Sequence, residues 1–174
     1  YKLPSDPDLL YVLAKYTNKT GKVMEFRSSF YTNSVTVEGF GDTDTYKVEL
    51  YTVDRSENRS QPQIVEVAPL TPPILSCYES LSVVSDFGGM TFEMDNKFKS
   101  DLAIYVCTPD ELGDMVLAET FYSAREEIVY SVRGYDAVPR RFGIFLQDKD
   151  GYETDTLFTE LNPIDDRELD KQKF

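Results

Sequence analysis

The feature that most constrains this chain is that it repeats itself. Leu10-Tyr11-Val12 matches Ile104-Tyr105-Val106 at a separation of 94 residues, and Phe30-Tyr31-Thr32 matches Phe121-Tyr122-Ser123 at 91. Val35-Thr36-Val37-Glu38-Gly39-Phe40 matches Tyr130-Ser131-Val132-Arg133-Gly134-Tyr135 at 95. Tyr46 to Leu50 matches Phe142 to Leu146 at 96, and Ala68-Pro69 matches Asn162-Pro163 at 94. Five blocks kept in one order, with separations that drift only by small loop differences, describe two copies of one module. The fold is therefore read per copy rather than per chain.

Each copy reads as short strands with period-two alternation between turn residues. Tyr46, Val48 and Leu50 share one face with Lys47 and Glu49 on the other, and Phe142, Ile144 and Leu146 lie opposite Arg141 and Gln147, as a sheet with one buried face requires. Both segments run into polar turns, Asp54 to Asn58 and Asp148 to Gly151, and then into a last strand, Gln63 to Val67 or Thr156 to Leu161. No stretch carries a helical period, so an all-β, antiparallel, hairpin-built chain is expected. At Leu70-Thr71-Pro72-Pro73 two prolines remove backbone donors and fix φ, which marks a semi-rigid linker.

The second copy has two further strands, around Glu79 to Val84 and Gly89 to Met94, with no equivalent in the first. The chain is accordingly expected to start inside the second strand of its first module, leaving an edge that a longer parent polypeptide would cover. The expected division is a first module over residues 1–69, the linker 70–73, a second module over 74–164, and a lead-in at 165–174 to a further domain.

Charge narrows the partners. Lys and Arg number 18 against 31 Asp and Glu, a net charge of -13. Such a surface repels phosphate backbones and anionic lipid. Nucleic acid is thereby set aside, and with no apolar run longer than Leu9 to Ala14, against the ~20 residues a span needs, so is direct membrane insertion of this region. The imbalance is uneven: residues 1–73 hold 8 basic and 10 acidic side chains (net -2), residues 74–174 hold 10 and 21 (net -11). Cys77 and Cys107 are read as free thiols, because nothing in the pattern brings them together.

Chemistry is sparse. The absence of His removes the commonest general base and the usual triads. Hydrolysis would rest on two carboxylates facing each other across a cleft, and no pair stands out among surface acids. No phosphate loop, cysteine ligand spacing or nucleophile elbow occurs. The expectation is no enzyme, with no catalytic, cofactor-binding or metal residues assigned and no cofactor. Asp148, Asp150 and Glu153 gather around Gly151 and offer oxygen ligands to Ca²⁺, but read first as an Asp-Gly turn. Tyr11, Tyr51, Tyr105 and Phe145 fall opposite the inward faces of their strands. They form either a stacking platform for sugar or, the preferred reading, a contact face for a neighbouring domain.

About seven short strands per copy, with Tyr46 opening the penultimate strand of the first, resemble immunoglobulin-like and fibronectin type III sandwiches. Tyr46 to Ser60 resembles the penultimate strand and turn of fibronectin type III domains, which makes Tyr46 the tyrosine-corner residue and Phe142 its counterpart. The whole chain resembles an uncharacterised family of gut-bacterial surface lipoproteins in which two such modules precede a discoidin-like domain, encoded in glycan-utilisation loci. The segments that carry this are Asp8 to Val12, Tyr31 to Ser34, Val37 to Phe40, Val53 to Ser60 and Asp86-Phe87-Gly88-Gly89, with Glu168 to Phe174 resembling the lead-in to the discoidin-like domain.

The resemblance implies two tandem immunoglobulin-like (fibronectin type III) β-sandwiches, the first lacking its opening strands. It implies an exported parent at the cell surface or in the periplasm, tethered by a lipid anchor outside this chain. The role it implies is non-catalytic, spacing or orienting a neighbouring domain in glycan capture. Direct carbohydrate binding is the alternative, and an accessory segment of a glycoside hydrolase a further one. The implied partners are neighbouring domains, glycan or other surface proteins.

Overall fold

A computed structural model describes residues 1–3, 5 and 7–165; the expected lead-in beyond Asp165 lies outside the described residues. The chain divides into two compact units, Tyr1–Pro72 and Pro73–Phe174.

The first unit is built on β1 (Leu9–Thr17), β2 (Val23–Ser29), β3 (Tyr46–Asp54) and β4 (Gln63–Val67), an antiparallel sheet in the order β2-β1-β3-β4. Alternation sends Ala14, Tyr16, Tyr46 and Val48 to one face, where they form a buried cluster with Met24, Phe26, Leu50 and Val67 around them. The cover for that face is an extended but irregular segment: Val35, Val37 and Phe40 pack onto the cluster, the Phe40 ring lies 4.6 Å from that of Tyr16, and the Tyr16 hydroxyl donates to the Glu38 carbonyl at 2.8 Å. Among the described residues this unit has no second sheet.

The second unit has α1 (Pro73–Glu79), β5 (Ser82–Asp86), β6 (Gly89–Asp95), β7 (Leu102–Pro109), β8 (Met115–Ser123), β9 (Glu127–Arg133), β10 (Arg140–Asp148) and β11 (Leu157–Leu161). Its sheets run β11-β10-β7-β8 and β5-β6-β9, with antiparallel pairing throughout. Met90, Phe92, Met94, Ile128 and Val132 from one sheet meet Leu102, Ile104, Val106, Phe142, Ile144 and Leu146 from the other in a single core. This is an immunoglobulin-like β-sandwich. Its four-stranded sheet has the strand order of the first unit's sheet, β8-β7-β10-β11 against β2-β1-β3-β4.

Three expectations need correction here. The chain is not free of helix: Pro73 supplies a preset φ at a first helical position, and Ile74 and Cys77, one turn apart, both bury into the core. Seven residues are too few for a helical period to stand out in sequence. Pro73 thus belongs to α1 rather than to a linker, Glu79 ends that helix, and the strand expected from Glu79 begins at Ser82. Cys77 and Cys107 are free, the first buried and the second half-buried.

One turn recurs at the β1–β2, β3–β4, β7–β8 and β10–β11 junctions. It begins at Asn18, Asp54, Asp110 and Asp148, each of whose amides donates to the carbonyl four residues on. The side-chain Oδ1 of each accepts the amide of that same residue, Lys22, Asn58, Asp114 or Tyr152, at 2.8–3.0 Å. In the three Asp turns it also accepts the amide two residues on. The fourth turn residue is left-handed: Gly21 at φ 81°, Glu57 at 63°, Gly113 at 89° and Gly151 at 85°. A related loop runs from Asn96 to Ser100, with Lys99 at φ 52°.

These turns align the two copies. Asn18 stands for Asp110, a separation of 92, and Asp54 stands for Asp148, a separation of 94. The sequence matches at 94 and 96 for the strands before them are each two residues too long. A slip of two leaves every side chain on its own face, so alternation alone cannot detect it. Leu13 therefore occupies the place of Tyr105, Tyr51 that of Phe145, and Tyr46 that of Arg140 rather than Phe142; the Tyr46 hydroxyl donates to Asp42 Oδ1 at 3.0 Å. In the second unit a β-bulge follows: Val106 faces Glu119 but Cys107 faces Leu117, so Ala118 is an extra residue in β8.

A non-glycine residue in the left-handed region costs about 1–2 kcal/mol, and the exposed Lys99–Glu126 ion pair at 3.2 Å offsets little of it. Lys99→Gly is expected to raise the melting temperature of the second unit by a few degrees in calorimetry. Gly89→Ala should act oppositely. Its new Cβ would lie 1.9 Å from the Val132 carbonyl oxygen, and overpacking of backbone on backbone costs on the order of 3 kcal/mol, readable as a lower urea midpoint.

Candidate functional site

The surface most suited to a partner is the outer face of the β8-β7-β10-β11 sheet. Because directly paired residues project to the same side, the register lays out its rows: Tyr122, Ala103 and Gln147; then Thr120, Tyr105 and Phe145; then Leu117, Cys107, Gly143 and Phe158. The Tyr105 and Phe145 rings stack at 4.7 Å and 8°. The Tyr105 hydroxyl donates to Gln147 Oε1 at 3.1 Å, and Gln147 Nε2 donates to Glu153 Oε1 at 2.8 Å, which ties the middle of the face to the last turn.

Gly143 makes room for the neighbouring ring. A Cβ there would come within 2.9 Å of Phe158 Cε1, so the glycine lets Phe158 lie across β10, where the Arg141 guanidinium sits over the ring at 4.1 Å. Phe158 is 48% exposed and Tyr122 71%. Beside Tyr122 is an open hollow of about 420 Å³ bordered by Ala103, Gln147, Asp101, Ser123 and Lys149.

The first unit closes the corresponding face. Tyr11, Leu13, Tyr51 and Val53 form their own cluster there, with Leu13 and Val53 fully buried. The Tyr11 hydroxyl donates to Glu57 at 2.8 Å while Arg27 lies 5.0 Å from the ring centre, and the Tyr51 hydroxyl donates to Glu49 at 2.7 Å. Donation to the carboxylates pushes both phenols above their usual range. Of the four aromatics picked out in the sequence, Tyr105 and Phe145 come together as an open stack, whereas Tyr11 is buried and, with Tyr51, belongs to this closed cluster. Tyr122 and Phe158 were missed. Their outward direction depends on the bulge at Ala118 and on the space at Gly143; only the glycine inside a strand pattern was a readable signal.

The acidic turn is built as a turn. Asp148 Oδ1 is engaged by the Asp150 and Tyr152 amides and Glu153 by Gln147. Burial pushes the Asp148 carboxyl upward despite those bonds. Asp54, at the same place in the first unit, is held low by hydrogen bonds from Asn58. Among the described residues no three His, Cys, Asp or Glu side chains converge as metal ligands.

On the outer side of β5-β6-β9, Asp86 collects the Phe87 amide at 2.8 Å, the Thr91 hydroxyl at 2.8 Å and the Arg133 guanidinium at 3.1 Å. These bonds, the Phe87 amide foremost, bring its pKa down to about 2.

Residues 70–172 match a family model described as "Domain of unknown function (DUF5126)", and residues 1–69 match "Domain of unknown function (DUF4959)". The chain belongs to the DUF5126 family. No curated protein matches it. Among solved structures it is similar to a SusE-like protein (BT2857) at 25% identity and a TM-score of 0.48, over 53% of this chain and 32% of that one. It thus spans about a third of the SusE-like chain's length. It also aligns with the fibronectin(III)-like modules of Clostridium thermocellum CbhA at 10% identity and a TM-score of 0.32, over 95% of this chain and 84% of that one.

The DUF5126 segment contains both the aromatic face and the Asp86 hairpin. Since the Asp86 pKa is lowered from 3.8 to about 2, its charge stabilises the fold above pH ~3.8, and that contribution is lost as pH falls toward 2. Asp86→Asn is expected to melt lower than the parent chain at pH 6, and the gap should close between about pH 4 and pH 2 in a series of thermal melts.

Proposed function

We propose that this chain is a non-catalytic region of an exported bacterial surface protein that spaces or orients a neighbouring domain in glycan capture. The observation that carries this reading is the repeated turn. The same short, internally bonded hairpin closes both modules, and Asp54, Asp110 and Asp148 are committed to holding it. Carboxylates used as backbone acceptors make a stiff support rather than a general acid and base. Among the described residues no helix is long and apolar enough to cross a membrane, and the proposed attachment is a lipid anchor elsewhere in the parent, with a discoidin-like domain beyond the second module.

A second reading, direct carbohydrate binding, is favoured by one observation: the stacked Tyr105–Phe145 pair and the exposed Tyr122 share an outer sheet face. Aromatic faces with adjacent amide and carboxylate groups suit sugar rings, whose C–H faces are apolar and whose edges carry hydroxyls.

The spacing role is tested by replacing the region, in the parent protein, with a Gly-Ser linker of equal length. Glycan capture by cells is expected to drop while the parent's abundance is unchanged. Release of reducing ends from polysaccharide by the purified chain, abolished by one carboxylate substitution, would overturn the non-catalytic reading.

A further inference from the structure

The two modules differ across one row of their outer faces, and the difference creates space. In the first unit the row reads Ser29, Tyr11, Val53; in the second the corresponding row reads Tyr122, Ala103, Gln147. The first places its ring on the central strand, where Tyr11 is only 9% exposed and held by Glu57 and Arg27. The second places a methyl group there and moves the ring to the outer strand. The hollow of about 420 Å³ lies beside that ring, over Ala103, and its size is that of a small-molecule site.

We propose that this hollow is a subsite for a neutral pyranose unit of a glycan. The proposal rests on the direct carbohydrate-binding reading above and assigns it to one place. The sugar's C–H face stacks on Tyr122, its edge enters over Ala103, and Asp101 and Lys149 at the rim accept from and donate to its hydroxyls. Tyr105 and Glu153 hold Gln147 in place beside it. Charge selects the class of sugar. Residues 74–164 carry 7 basic against 17 acidic side chains, net -10, and that field repels uronate and sulfated glycans while leaving neutral ones unaffected.

The purified chain is tested against neutral glucan, mannan and xylan and against polygalacturonate by affinity electrophoresis, with calorimetry on any polysaccharide that retards it. Retardation by at least one neutral polysaccharide and not by polygalacturonate is expected. Tyr122→Ala, a change at an exposed ring, and Ala103→Tyr, which copies the residue the first module carries, should each weaken binding by about ten-fold or more. Melting curves check that both variants fold, and Tyr122→Ala decides the matter alone if Ala103→Tyr does not. Neutral binding that survives these substitutions overturns the hollow but leaves glycan capture through another face. No binding to any of the four polysaccharides overturns the hollow and leaves only the spacing role. Preference for polygalacturonate overturns the assigned sugar class.

Discussion

A side-chain oxygen at the first position of a short turn, accepting backbone amides further along that turn, governs most of what this chain does. The turn closes four hairpins at a fixed length, and a fixed length sets the strand register. Register then determines which side chains meet across the pleat, and so both the core and the outer surface follow from it. The pattern tolerates Asn at Asn18 and a non-glycine left-handed residue at Glu57, because several hydrogen bonds converge on each turn and hold its backbone in place.

Much of this was legible in the sequence. The repeat identified two copies, and alternation correctly placed Tyr46 and Val48 on one inner face and Phe142, Ile144 and Leu146 on the other, all buried. The exact pairing of the copies was not legible. Side-chain alternation has a period of two, so a slip of two residues is invisible to it, and only the turn hydrogen bonds reveal that Leu13 rather than Tyr11 answers Tyr105. Helix α1 escaped notice for a related reason, since Ile74 and Cys77 mark a helical face only once the core they enter is known.

The candidate surface was half legible. Tyr105 and Phe145 follow from alternation alone and do stack. Whether an outward aromatic is open or covered depends on groups distant in sequence: Glu57 lies 46 residues from the Tyr11 it binds. The same strand pattern thus yields a sealed cluster in one unit and an open face in the other, and no local reading of either strand distinguishes them.

The bulge in β8 decides which of two adjacent rings joins the interior. Phe121 faces Ile104 and packs between Phe92 and Tyr130, while Tyr122 faces Ala103 on the other side. Strand parity is all that separates these fates: were Ala118 to keep a place in the alternation instead of bulging out of it, counting from the turn at Asp110 would direct Tyr122 inward and Phe121 to the surface. One bulge therefore acts as a sorting device for the pair, able by its presence or absence to hand a core position from one aromatic to its neighbour without altering either.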